Sequence, residues 1–158
     1  MCVADLPPLQ GVHFSPGGEY IAAHSSDGGK VMVWHAATGK AAASFGRHKS
    51  AVLSLCWLSD TSFATCGQDG AVHINRVRLL PLAATGGPGP DVIMSEGGHQ
   101  EGQITVAWER NIHVYEGHVN EISASSDAAW LAVACDDGGV RVWRTVRLRQ
   151  SMFCAYAS

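Results

Sequence analysis

The feature that most constrains this chain is a recurring Asp-Gly turn between short runs of alternating apolar and polar residues. The turn occurs as Asp27-Gly28, Asp69-Gly70 and Asp137-Gly138. Glycine accepts the positive φ that a tight hairpin turn requires, and alternation with a period of two is typical of strands that bury one face. The sequence shows no convincing helical pattern of about 12 residues. It therefore predicts an all-β fold.

Three segments of the chain share one order of elements: a strand, a turn, a second strand, the Asp-Gly turn and a third strand. These segments are residues 12–34, 51–75 and 119–143. Their third strands end at Trp34, Asn75 and Trp143, and a poorer segment between the last two ends a strand at Trp108. Self-similarity at nearly constant spacing predicts stacked repeats rather than a single irregular sheet.

The repeats divide the chain, taken as one domain over residues 1–158, into units of similar length. The expected units are approximately residues 9–45, 46–77, 78–115 and 116–156. The third unit is degenerate, because it contains the loop Gly86-Gly87-Pro88-Gly89-Pro90, which cannot carry a strand ladder. We expect this unit to be one strand short.

These residues resemble the WD40 repeat family, the β-propellers of the kind seen in the G-protein beta subunit. A unit of that family opens with Gly-His, carries an Asp in the turn before its third strand, and ends that strand in Trp-Asp. The last unit here matches through His118, Asp137 and Trp143, with Arg144 in place of the final Asp. The resemblance implies three to four WD40-like blades in an incomplete or open ring.

The other two units match the family less completely. In the second unit Arg47 separates Gly46 from His48, Asp69 lies in the turn, and Asn75 takes the place of the tryptophan. The first unit has Asp27 and Trp34, but no Gly-His pair precedes it. The individual blades therefore look diverged.

The resemblance implies a structural hydrogen-bond set in each unit. It joins the His, the turn Asp, a Ser or Thr two residues before that Asp, and the Trp, which gives a buried imidazole and a buried indole their partners. The members in this sequence are Ser25, Asp27, Trp34, His48, Asp69, His118, Asp137 and Trp143. Gly67 and Cys135 occupy the hydroxyl position in the second and last units, so no unit carries the full set.

The function implied by the resemblance is a non-enzymatic scaffold or adaptor that binds partner proteins or peptides through its blade loops. In the family, partners dock most often on the face that carries the Gly-His loops and the turns before the third strands. The candidate partner-binding residues on that face are Arg47, Lys49, Gln68, Asn120 and Asp136. We expect these side chains to be exposed.

The length of the chain raises a question of closure. A closed propeller has about 4–8 blades, and an open array leaves apolar faces on its terminal blades. The candidates for such surface are Met32, Trp34, Met152 and Phe153. We therefore expect either a fragment of a longer propeller or a chain that completes its ring by pairing with another copy or another protein.

A basic segment supports an alternative function. Arg141, Arg144, Arg147 and Arg149 are half of the eight arginines of the chain. One interpretation is that these arginines lie on the solvent side of a strand and of the segment that follows it. The other is that they form the binding site of an anion- or nucleic-acid-binding adaptor. The net charge of −3 and the pI near 6.2 disfavour general nucleic-acid binding. A truncated propeller without activity of its own is a further alternative.

The motifs of other function classes are missing from the sequence. It has no Gly-x-Ser-x-Gly elbow for a nucleophile and no Gly-rich phosphate loop, so we expect no catalytic residues and no cofactor. His99 with Glu96 or Glu101 is typical of turn residues, so no metal is expected. His13, His73 and His113 alternate with apolar residues and are predicted to face solvent.

Cysteine usage and hydropathy predict where the chain works. The five cysteines have no zinc-ligand or disulfide pattern, and Cys56, Cys66 and Cys135 are expected to pack as small hydrophobic residues. The amino terminus has no secretory signal, and no run of about 20 apolar residues occurs. We expect an intracellular protein, cytoplasmic or nuclear.

Overall fold

The computed structural model describes residues 8–80, 103–114, 116–145 and 153–156. Within these residues the chain forms three four-stranded antiparallel sheets, each built from strands that follow one another in the sequence. The prediction of an all-β fold is confirmed. Within the described residues no helix is long and apolar enough to cross a membrane.

The bounds of the strands follow the turns that the sequence predicts. The first sheet contains β1 (Leu9–Phe14), β2 (Tyr20–Ser25), β3 (Lys30–His35) and β4 (Ala41–Gly46). The second contains β5 (Val52–Trp57), β6 (Ser62–Gly67), β7 (Ala71–Leu80) and β8 (Gln103–His113). The third contains β9 (Val119–Ala124), β10 (Trp130–Cys135), β11 (Gly139–Arg144) and β12 (Phe153–Tyr156).

The three sheets share one register. The last residues of β2, β6 and β10 pair with Leu9, Val52 and Val119, the first residues of the strands before them. Directly after this pair, each of β1, β5 and β9 contains one extra residue that forms a bulge. A bulge at the same place in each sheet indicates that they are copies of one unit.

The segment expected to form the degenerate unit over residues 78–115 is arranged differently. Residues 103–113 form β8, which pairs along the whole length of β7 and so completes the second sheet. Asn75 and Trp108, which the sequence pattern predicts as strand ends of successive units, are paired with each other. The ten-residue β7 offers a long ladder that β8 can fill. Residues 81–102 lie outside the described residues.

Two apolar clusters hold the sheets together. Residues Tyr20, Ala22, Val31 and Val33 of the first sheet pack on Val52, Leu55, Phe63 and Val77 of the second. The opposite face of the second sheet, through Ala64, Cys66, Val72 and Ile74, packs on Val119, Ile122, Leu131, Val133, Cys135 and Trp143 of the third. Full burial of a side chain such as Phe63 or Leu131 contributes about 1.5–3 kcal/mol. The second sheet is therefore covered on both faces.

The described cysteines behave as the sequence predicts. Cys66 and Cys135 are buried, Cys56 is partly buried, and all three are free thiols. Burial raises the pKa of Cys56 and of Cys66 to about 12. These thiols are therefore packing residues rather than nucleophiles.

Candidate functional site

The turns and links at one end of the three sheets form a continuous surface, which we call the turn face. It comprises the turns 26–29, 67–70 and 135–138 and the links 46–51 and 116–118. The backbone N–H of Gln68 donates to the Ala51 carbonyl at 3.0 Å, and the N–H of Asp136 donates to the His118 carbonyl at 3.2 Å. These hydrogen bonds fix the turns of the second and third sheets against the links that precede those sheets.

His48 and Asp69 lie at the centre of the turn face. His48 Nδ1 lies 2.9 Å from Asp69 Oδ1, and His48 Nε2 lies 3.0 Å from the Thr65 hydroxyl. Because a carboxylate only accepts, His48 Nδ1 carries a proton and donates it to the hydrogen bond with Asp69. The other oxygen of Asp69 accepts the backbone N–H of Lys49 at 2.9 Å. One buried imidazole thus ties the link to β6 and to the turn.

The pKa of the Asp69 carboxyl reflects these contacts. Burial acts to raise this pKa, but the hydrogen bonds from His48, Lys49 and Ala71 outweigh it and hold the pKa below its ordinary value. Asp69 is therefore a carboxylate at neutral pH. A carboxylate that accepts several hydrogen bonds orders the backbone around it.

Thr65 is a member of this network that the sequence analysis missed. The hydroxyl was expected two residues before Asp69, at Gly67, but it comes from Thr65, four residues before. A Cβ at Gly67 would lie 2.5 Å from the Ala51 carbonyl oxygen and 2.9 Å from His48 Nδ1, so no side chain fits there. Strand alternation places residues 65 and 67 on one face of β6, and this signal could have identified Thr65.

His73 is a second buried imidazole beside His48. The two rings meet edge to face with centroids 4.4 Å apart. The pKa of His73 is lowered to about 4. Burial is the largest cause, the neighbouring His48 and Arg47 also lower this pKa, and Asp69 raises it. The prediction that His73 faces solvent is wrong. It pairs with Thr65, on the sheet face that carries Leu55 and packs on the first sheet.

His48, Asp69 and His73 also bring three possible metal ligands together. One ligand atom from each lies within 4.8 Å of the others. Both ring nitrogens of His48, however, already form hydrogen bonds with Asp69 and Thr65. We therefore interpret the three residues as a hydrogen-bonded pair with a neighbouring neutral imidazole.

The third sheet arranges its candidate residues in another way. Asp137 accepts two hydrogen bonds from the Arg141 guanidinium, at 3.2 and 2.6 Å. His118 is exposed, with its Nδ1 3.9 Å from Asp136, while Trp143 is buried in the apolar cluster. Arg141 pairs with Val133 as His73 pairs with Thr65. The charged, two-pronged guanidinium forms strong hydrogen bonds with the turn carboxylate.

This ion pair changes the interpretation of the basic segment. Arg141 is buried, so its prediction on the solvent side of the strand is wrong. Its hydrogen bonds with Asp137 raise the pKa of Arg141 and lower the pKa of the carboxyl. Arg144 lies over the Trp130 ring, 5.6 Å from its centroid, and Arg147 and Arg149 lie outside the described residues. An anion site built on all four arginines loses Arg141.

The first sheet brings together only two of its three candidate residues, which are Ser25, Asp27 and Trp34. The buried Ser25 hydroxyl donates to the Pro8 carbonyl and accepts the backbone N–H of Asp27, both at 2.9 Å. The Asp27 residue itself is exposed, and Trp34 is half-buried on β3. Within the described residues, the link between His, turn Asp and hydroxyl is therefore complete in the second sheet alone.

The five candidate partner-binding residues are all exposed. They are Arg47, Lys49, Gln68, Asn120 and Asp136. The first three surround the turn of the second sheet, Asp136 lies in the turn of the third, and Asn120 is the second residue of β9. Basic groups thus lie at the turn of the second sheet and Asp136 at the turn of the third.

Comparison with known proteins agrees with the repeat pattern. The model of the WD domain, G-beta repeat, matches residues 39–74 and 109–144. The chain carries WD40 repeats at these two positions. Each match begins near the outer strand of one WD40 sheet and ends in the third strand of the next, which agrees with the register found above.

Curated relatives and solved structures have the same character. The chain is 23% identical over 117 residues to F-box-like/WD repeat-containing protein TBL1X of Mus musculus, a match that covers 74% of this chain and 16% of the relative. The Homo sapiens protein of that name is also 23% identical over 117 residues, covering 74% of this chain and 15% of the relative. The chain thus spans about a sixth of the length of these relatives.

Two solved structures share the fold. They are described as "Structure of U3-55K" and "Crystal structure of RRP9 WD40 repeats". Each gives a TM-score of 0.60 at 17% identity and covers 92% of this chain and 36% of the solved chain. The three sheets are WD40 propeller blades in an open, incomplete ring. Proteins of the WD40 family are generally non-enzymatic scaffolds.

Proposed function

We propose that this chain is a non-enzymatic interaction scaffold whose turn face binds a segment of a partner protein. The observation that carries the proposal is the turn face itself. Its exposed side chains stand on turns and links that His48, Asp69 and the backbone hydrogen bonds hold in place. A surface that is ordered before binding loses less conformational entropy when a partner docks.

The charges on the turn face indicate the chemistry of the partner segment. Arg47 and Lys49 present basic groups next to the amide of Gln68, which suits a carboxylate on the partner. Asn120 and Asp136, on the third blade, suit a polar or basic group. The segment that fits is therefore an extended peptide with an acidic residue at one end and a polar or basic residue at the other.

Selection from a phage-displayed peptide library tests this function. We expect enriched peptides that bind the chain and lose affinity roughly tenfold or more for the variant R47A/K49A/Q68A, because truncation of central contacts removes much of the binding energy. The matched control R78A/R110A removes the same charge from exposed positions on β7 and β8, away from the turn face. Equal loss for both variants, or no enrichment, would contradict the proposal.

A further inference from the structure

The histidines of the chain are concentrated where the first blade meets the second. The ring of His13 stacks on that of His24 with centroids 6.4 Å apart, and His35 meets the edge of Tyr20, a residue of the apolar cluster between these blades. The link and the second blade add two more rings to this contact. Five of the eight histidines therefore lie in it or at its edge: His13, His24, His35, His48 and His73.

The first blade presents its histidines on one face only. Strand alternation places the three rings of β1, β2 and β3 on the face that packs on the second blade. The opposite face of these strands carries apolar residues instead, among them Val12, Phe14, Ala23, Met32 and Trp34. Ala23 and Met32 are buried there, so the expectation that Met32 forms exposed end surface is wrong. The imidazoles of these three strands thus belong to the contact between the blades.

His24 joins the two blades through its ring. Its Nδ1 lies 3.0 Å from the carbonyl oxygen of Val52, the first residue of β5, and donates to it because a carbonyl only accepts. The ring is buried, and a Cβ at Gly11 would lie 2.3 Å from its Nε2. Burial lowers the pKa of His24, although the hydrogen bond to Val52 acts to raise it, and the facing ring of His13 lowers it further. The position therefore favours a neutral imidazole.

His73 contributes a second neutral ring from the second blade. Its Nδ1 is buried and has no hydrogen-bond partner among the described residues. A protonated imidazole donates from both nitrogens, so protonation would leave a buried N–H without an acceptor. His48 and Arg47 face this ring from the link and oppose a positive charge on it, whereas Asp69 faces it from the turn and favours one. The closed contact therefore disfavours the charged form of His73 as well.

The contact between the second and third blades has the same positions filled by other residues. His24 corresponds to Cys66, since each is the next-to-last residue of the second strand of its blade. His73 corresponds to Arg141, since each is the third residue of the third strand. Cys66 is a neutral thiol, and Arg141 is a cation bonded to Asp137. Neither side chain changes its charge between about pH 4 and pH 7.

We propose that the contact between the first and second blades is an acid-sensitive switch, which opens on mild acidification while the second and third blades stay together. The closed contact holds His24 and His73 as neutral rings, whereas opening exposes both rings to water, where they bind protons below about pH 6.5. A group that is protonated only in the open form raises the equilibrium constant for opening about tenfold for each unit by which the pH falls. Two such groups raise it about a hundredfold.

Two tryptophans report on the two contacts separately. The Trp57 indole N–H donates to the His13 carbonyl at 3.0 Å, across the contact of the first and second blades. Trp143 is buried in the apolar cluster between the second and third blades. In ¹⁹F NMR of the chain labelled with 5-fluorotryptophan, the variants W57F and W143F identify the two resonances. Between about pH 6.5 and pH 4, we expect the Trp57 resonance to move to the position of a solvent-exposed indole before the Trp143 resonance changes.

Variants of the buried histidines test which groups drive the opening. H24N keeps an amide that can donate to the Val52 carbonyl, H73Q keeps a polar side chain, and neither new side chain titrates in this range. Each is expected to reduce the rise of the opening equilibrium constant by about tenfold per pH unit, and the double variant H24N/H73Q is expected to remove most of the Trp57 transition. The control H113Q removes an exposed imidazole on β8 and is expected to keep the wild-type transition.

Three results would overturn the proposal. They are transitions of Trp57 and Trp143 at the same pH, a Trp57 resonance that stays unchanged down to about pH 4, and a double variant that keeps the wild-type transition. If circular dichroism shows that a histidine variant is unfolded at neutral pH, the comparison of the two resonances in the chain with all its histidines still decides. No peptide takes part in these measurements, so their outcome is independent of the function proposed for the turn face.

Discussion

The imidazole of His73 is a buried group whose protonation opposes folding. Its pKa is about 4 in the folded chain, whereas an unfolded histidine titrates near 6.5. Between these two pH values the proton binds to His73 in the unfolded chain but not in the folded chain. The free energy of unfolding therefore keeps the full contribution of this group above about pH 6.5 and falls as the pH decreases toward 4. The loss from this one group is up to about 3 kcal/mol. Urea denaturation across this pH range measures it.

The variant H73Q isolates this contribution. We expect its stability to fall less steeply with decreasing pH than that of the wild type, whatever its stability at neutral pH. H113Q, a substitution at an exposed histidine, is expected to keep the wild-type slope. His24, whose pKa burial also lowers, leaves a residual slope in H73Q. Parallel curves for the wild type and H73Q would refute this role of His73.

The two side chains of the ion pair between Asp137 and Arg141 differ in their exposure to solvent. The Arg141 side chain is 9% exposed and the Asp137 side chain 21%. D137N leaves the more buried charge, the Arg141 guanidinium, without its carboxylate partner. R141M leaves the Asp137 carboxylate, which is more exposed, without its guanidinium. A buried charge that loses its partner lowers stability more than an exposed one. We expect D137N to lower Tm by on the order of 5–10 °C and R141M by clearly less. Thermal denaturation of both variants and of the double variant decides, and equal losses would contradict the argument.

At the scale of elements, the turn between β2 and β3 is pressed against the link that leads to the second blade. Gly29 has φ +64°, and a Cβ there would collide with the His48 carbonyl oxygen and lie 2.8 Å from that of Ser50. Gly39, in the turn between β3 and β4, has the same φ but nothing within 4 Å of its Cβ position. G39A is expected to cost about 1–2 kcal/mol for the left-handed backbone. G29A adds the clash and is expected to cost more.

Denaturant unfolding of G29A and G39A gives the difference directly. Gly29 and Gly39 have the same φ, so the backbone strain caused by alanine is the same at both positions. The difference between the two losses of unfolding free energy therefore measures the steric clash between the turn and the link. If the two substitutions cost the same, the turn of the first blade does not support the link that holds His48.

The elements that the sequence predicted correctly are those fixed by local signals. The Asp-Gly turns and the alternating strands around them depend on residues adjacent in the chain, and all three sheets contain them. The placement of β8 could not be read in this way, because its pairing with β7 joins strands separated by residues 81–102. The same limit applies to the site. His73 and Arg141 look like exposed residues of alternating strands until a neighbouring blade or a carboxylate accounts for them.

At the scale of the whole molecule, the described residues form three blades of one design joined in a row. Each blade is made of four consecutive strands, so in the described part of the chain no blade lends a strand to another. The blades therefore share side-chain packing and short links, but no ladder of backbone hydrogen bonds. Such an array unravels from its ends, since a terminal blade can open without breaking the ladder of backbone hydrogen bonds within the middle blade. The middle blade is the last to exchange its amide protons, and it holds His48, Asp69 and Thr65.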